Sequence, residues 1–197
     1  MKFTLALFLA FSFTALTAQT NWTLDKGHSD IRFTVTHMTI SKLDGQFDDF
    51  EGKVTSTTPD FNGSTVEFTA KTASVDTDNE RRDQHLKSDD FFNAEKYPEL
   101  KFKGKLNKKG KKYQLVGDFT LRDVTKPVTF NVQYLGAVET KRGKKAGFVL
   151  TGTINRFDYG VKWDSKLDNG NGLVVANEVM ITCQIELNEV KAEAPKQ

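Results

Sequence analysis

The sequence predicts an all-β protein, an eight-stranded antiparallel up-and-down barrel crossed once by a short helix around residues 78–92. Three features of the chain lead there. Apolar and polar residues alternate with period two through eight long segments, which marks strands with one buried face. Turns such as "NKKGKK" and "TKRGKKAG", each with a central glycine, have the form of hairpin connections. One charged stretch, "TDNERRDQHLKSDDFF" at residues 77–92, breaks the alternation. Closing the sheet removes its exposed edges; a two-sheet sandwich is the alternative that alternation leaves open.

The elements follow in chain order. Lys2 and the apolar run Phe3 to Leu16, followed by Thr17 and Ala18, read as a cleaved secretory signal over residues 1–18. That places the mature protein in the periplasm or outside the cell, after cleavage near Ala18. Residues 19–190 then form one domain, and residues 191–197, "KAEAPKQ", a polar tail. A short strand is expected at Trp22 to Asp25. The first long strand is "HSDIRFTVTH", with Ile31, Phe33, Val35 and His37 in one phase. "QFDDFEGKV" slips phase between Phe47 and Phe50, and the two acids in the slip suggest a bulge within one strand. "STVEFTA", "ELKFKGKL", "YQLVGDFTL", "VTFNVQY", "FVLTGTI" and "VMITCQIEL" complete the set. A Gly/Asn-rich loop, "DNGNG", precedes the last of them.

Composition narrows the function. A chain of 197 residues, 38% hydrophobic, can enclose a substantial core, and its 28 basic and 26 acidic side chains give no field suited to nucleic acid. The single cysteine, Cys183, excludes an intramolecular disulfide and lies in the core phase of its strand, where a thiol serves as a small hydrophobe. The inward phase is dominated by phenylalanine. Phe33, Val35, Phe50, Phe68, Phe102, Phe119, Phe130, Phe148, Leu150 and Ile181 are the candidate lining of an apolar cavity. Gly104, Gly117 and Gly152 share that phase and either leave room for a ligand or mark tight bends. A filled core remains the competing reading.

Thr77-Asp78-Asn79-Glu80 matches a capping box with Thr77 as N-cap, so a helix is expected from Asp78 to about Lys87. Asp78 with Arg82, and Asp83 with Lys87, have the spacing of surface ion pairs, and Arg82, His85 and Leu86 share a face. His28, His37 and His85 lack metal-ligand spacing. In "NRFDYGVKW", Arg156 and Asp158 extend the inward phase and would pair at the barrel end, or meet a ligand's polar head. Arg82, His85, Arg156 and Asp158 are therefore the candidate head-group contacts. An acid–base pair of His85 with Asp83 or Asp158 is the enzymatic alternative. The lysine-rich turns are ordinarily solvated; attraction to an anionic membrane surface is the functional version that charge alone allows.

Taken in order, "DKGHSDIRFTVTH", "GQFDDFEG", "NERRDQHLKSDDFFNAEKYPELKF", "GDFTLRDVTKPVTF", "INRFDYG" and "VMITCQIEL" resemble the YceI-like family of exported bacterial proteins over about residues 21–189. Where such relatives often carry Asp-Phe-Gly, this chain has Asp158-Tyr159-Gly160. The resemblance implies a lipocalin-like barrel whose interior holds a long isoprenoid chain, such as a polyprenyl quinone or polyprenyl phosphate. It brings no catalytic residue set, and no cofactor is expected other than such a bound lipid.

Overall fold

The computed structural model describes residues 19–166 and 173–191. The expected signal segment, the "DNGNG" stretch and the residues beyond Lys191 lie outside these residues. Eleven strands form one antiparallel sheet that closes on itself. They are β1 (Thr20–Leu24), β2 (Asp30–His37), β3 (Ser41–Phe47), β4 (Phe50–Ser56), β5 (Ser64–Lys71), β6 (Val75–Asp76), β7 (Glu99–Lys109), β8 (Lys112–Leu121), β9 (Val124–Thr140), β10 (Gly143–Asn155) and β11 (Val175–Val190).

These strands occupy eight stations around the barrel. β1 and β2 both pair with β11, at Leu187–Val190 and Val175–Gln184 respectively, so they are one interrupted strand. β3 pairs with β2 and β6, whereas β4 pairs with β1 and β5, which makes two further interrupted stations. The expected bulge in "QFDDFEGKV" is thus a full break at Asp48-Asp49. Its cause lies next door. The amide of Asp48 donates to the Ser74 carbonyl at 3.1 Å, that of Asp49 to Ser74 Oγ at 3.0 Å, and Lys26 pairs with Asp49 at 3.2 Å. The three breaks therefore align into one corner across adjacent strands, where side chains replace the ladder bonds that the bend removes.

The inward glycines serve close packing rather than open space. Gly104 and Gly117 face each other across β7 and β8, and a Cβ on Gly117 would lie 2.3 Å from the Lys103 carbonyl oxygen. A Cβ on Gly152 would lie 2.3 Å from the Phe130 ring. Aromatic rings and neighbouring backbone occupy the volume that side chains would have taken. At the end where β7 turns into β8, Phe61 is 1% exposed and packs on Trp22, Phe148 and Tyr134 at ring separations of 5.0, 5.1 and 5.7 Å. This aromatic plug closes that end of the barrel.

On the outer wall, Lys145 Nζ lies 2.7 Å from Asp25 and 2.6 Å from Glu186, joining β10, β11 and the break between β1 and β2. The Lys145 ammonium, with smaller help from His28 and Asn188, holds the Asp25 carboxyl well below the usual carboxylate range against the opposing effect of burial. A carboxyl depressed by folding stabilises above its unfolded pKa of about 4, and that contribution fades as pH falls through the folded value. Lys145→Met should therefore lower the melting temperature near pH 7, and the gap from wild type should narrow at about pH 3. Thermal melts of both proteins at the two pH values check this; a constant gap would contradict it.

Candidate functional site: an apolar cavity with a polar mouth

The helix α1 (Glu80–Lys87) crosses the barrel end opposite the Phe61 plug. It begins two residues later than its sequence suggests. Asp78 takes a left-handed φ of +57°, so the chain turns helical only after Asn79, whose side chain accepts from the Arg82 amide at 3.0 Å. Asn79, not Thr77, is the N-cap. Thr77 instead meets Asp83, which accepts from the Thr77 amide and hydroxyl, while the Arg82 guanidinium reaches back to the Thr77 hydroxyl and carbonyl at 2.8 and 2.6 Å. Buried Asp83 and half-buried Arg82 are thereby turned toward Thr77, and the expected surface pairs Asp78–Arg82 and Asp83–Lys87 are not formed.

Beneath α1 the barrel holds a cavity of about 800 Å³. The core is not filled, and the volume is that of a small-molecule site. Nine of the ten candidate residues line it: Phe33, Val35, Phe68, Phe102, Phe119, Phe130, Phe148, Leu150 and Ile181. Phe50 does not; it is 5% exposed and packs beside Phe68, with ring centroids 6.3 Å apart. The Cys183 thiol also faces the cavity wall, and burial pushes its pKa up to about 12, so it acts as an apolar group.

The polar mouth differs from its sequence reading. Arg82 and His85 both line the cavity, and with Asn79 and Arg81 they bound a second, smaller niche on the outer side of α1. His85 Nε2 lies 2.9 Å from Asp90 Oδ2, and its ring meets Phe91 and Trp163 edge-on at 5.0 and 5.5 Å. Its contact is with neither Asp83 nor Asp158, so the proposed acid–base pairs are not assembled. Arg156 reaches the cavity wall, but its guanidinium is committed elsewhere. It donates to the carbonyls of Ala176, Val161, Trp163 and Val175 at 2.8–3.0 Å. Burial lowers the Arg156 pKa, which four carbonyl acceptors make tolerable without a carboxylate.

Asp158 is not a mouth residue. Residues Arg156–Tyr159 form a single 3-10 turn, so the period-two alternation stops at Asn155 and Asp158 points outward to Lys126 at 3.5 Å. The expected Arg156–Asp158 pair is therefore absent. Trp163, Val161 and Val175 complete the mouth, and pattern could not have found the first two because their segment has no period. The three histidines stay apart. The one group of clustered metal-type donors among the described residues is Asp25, His28 and Glu186 on the outer wall, where Lys145 already supplies the positive charge.

A closed antiparallel barrel around a largely apolar cavity with an open mouth defines a class of barrels. Within that class the chain belongs to the YceI-like domain family, whose model matches residues 22–187. It is 33% identical over 171 residues to UPF0312 protein SAS2572 of Staphylococcus aureus, covering 86% of this chain and 98% of that one. The Campylobacter jejuni YCEI protein is 32% identical, with a TM-score of 0.67 over 85% of this chain and 97% of its own. A polyisoprenoid binding domain from Saccharophagus degradans, implicated in plant cell wall breakdown, shares the fold with a TM-score of 0.62 over 86% and 98% of the two chains, at 16% identity.

Proposed function

We propose that this is an exported, non-enzymatic binding protein that holds a long-chain isoprenoid lipid, of polyprenyl quinone or polyprenyl phosphate type, for transport or storage. The cavity of about 800 Å³, open at its mouth and walled mostly by aromatic and aliphatic side chains, carries the reading. An unsaturated hydrocarbon chain suits such a wall, because burial contributes roughly 25 cal/mol per Å² of apolar surface, less the cost of ordering the chain. The polyisoprenoid-binding domain of the same fold supports the ligand class. Arg82 and His85, two of the polar residues that line the cavity, would orient a head group in this reading. Arg156 supports the mouth by holding its backbone, and the signal-like sequence of residues 1–18 supports a periplasmic or secreted placement.

Filling the cavity tests the reading. Ile181→Trp places a large ring in the cavity wall, at a folding cost of about 1–3 kcal/mol. The thermal shift that an added polyprenyl ligand gives the wild type should fall by more than half in this variant. An undiminished shift would place the ligand elsewhere.

A further inference from the structure

The closed end of the barrel carries a feature that lipid holding does not use. The β7–β8 and β9–β10 turns both point toward the end opposite α1, and β9 runs eight residues past Val132, its last pairing with β8, before it turns. Lys109, Lys111 and Lys112 project from one turn, and Lys141, Arg142 and Lys144 from the other, all exposed. None forms an ion pair with an acid among the described residues. Lys191 adds a further cation beside Gly143. The nearby acids are few. Asp60 is taken by Lys108, Asp25 and Glu186 by Lys145, Glu139 stands in register with Lys144, and Glu189 precedes Val190 at the end of β11.

The same end exposes bulky apolar side chains. Val138 is 61% exposed, Val190 47% and Leu135 60%, the last thrown outward where the β9–β10 register shifts beside Gly136. The mouth end is mixed in charge with a small acidic excess, its exposed Asp78, Glu80, Asp89, Asp90, Glu95, Asp123 and Asp164 standing alongside Lys42, Arg81, Lys96, Lys162 and Lys166, and it exposes Met38 and Ile40 as well. A cationic surface studded with aliphatic side chains matches the anionic head groups and shallow hydrocarbon of a bilayer. We infer that the closed end docks on an anionic membrane surface, holding the barrel with its mouth turned away from that surface. The inference stands on the charge distribution and is independent of what the cavity holds.

Sedimentation with vesicles tests it, using phosphatidylcholine alone and phosphatidylcholine mixed with phosphatidylglycerol. The purified protein should partition onto the mixed vesicles and be released as salt rises from roughly 0.1 to 0.5 M. Replacing Lys109, Lys111, Lys141 and Arg142 together by Gln should reduce that partition at least about tenfold. The melting temperature and the polyprenyl-induced shift of the same variant should stay at wild-type values. Equal partition of variant and wild type overturns the proposal. So does loss of binding in an Ile40→Ser variant at the mouth-end hairpin, where Ile40 is 85% exposed, with the lysine variant unaffected. A preference for heparin or duplex DNA over the mixed vesicles at equal salt would replace the bilayer by a soluble polyanion and would also overturn it.

Discussion

Phe61→Ala should lower stability by about 3–5 kcal/mol, among the largest effects expected of a single truncation in this chain. Phe61 sits in a turn-rich loop, "TTPDFNG", yet it is 1% exposed and touches Trp22, Tyr134 and Phe148. Phe148 also lines the cavity, so Phe61 backs the cavity wall through that ring without lining it. Removing the ring leaves a void behind Phe148, and the surrounding aromatic rings are too constrained to collapse fully into it. Phe61 also holds a left-handed φ of +60°, a conformation that a bulky residue keeps only when its surroundings fix it. The melting temperature should fall by on the order of 10 °C. A Phe61→Leu variant, which retains most of the volume, should fall by clearly less. A Phe61→Ala protein melting within about 2 °C of wild type would mean that the plug is not what closes this end.

Arg156→Met should cost about 3 kcal/mol, and its damage should be local. One guanidinium holds four carbonyls on two segments, Val161 and Trp163 on one side and Val175 and Ala176 on the other. Methionine keeps much of the apolar bulk, so the loss reports on orphaned buried acceptors rather than on packing. Arg156→Lys should recover only a small part, because an ammonium on a flexible stem cannot serve four acceptors set around a planar fork. Hydrogen exchange at Trp163, Val175 and Ala176 should accelerate far more than exchange in β7 and β8. Since Trp163 and Val175 line the cavity, ligand affinity should fall with it. Uniform acceleration across the sheet would show instead that Arg156 acts on global stability alone.

Much of the architecture was legible because its physics is local. Eight runs of alternation became eight stations, and the inward phase of those runs became the cavity wall, since a strand fixes the direction of every second side chain. The reading failed where the period failed. Arg156 and Asp158 share a phase only while the chain is extended, and a 3-10 turn at Asn155 sends Asp158 outward. Phe50 kept its inward phase but fell against Phe68 beside the corner at Asp48-Asp49, a corner that depends on contacts from Lys26 and Ser74 remote in sequence. Thr77 lost its capping role because Asp78 adopts a backbone conformation that residue type did not announce. The inward glycines were ambiguous in the sequence, and only the positions of neighbouring rings and carbonyls show that close packing is their use. Phe61 had no pattern to reveal it; its one sequence signal is a large apolar residue stranded in a cluster of turn formers.

The central claim is that the interior of this barrel is a lipid site, and the contents of the barrel test it most directly. The protein should be purified without detergent from cells that make polyprenyl lipids, extracted with organic solvent, and the extract analysed by mass spectrometry. A polyprenyl species at close to one molecule per chain, strongly reduced in the Ile181→Trp variant, is the predicted result. An extract free of prenyl lipid, together with no thermal shift when polyprenyl ligands are added back, would contradict the account.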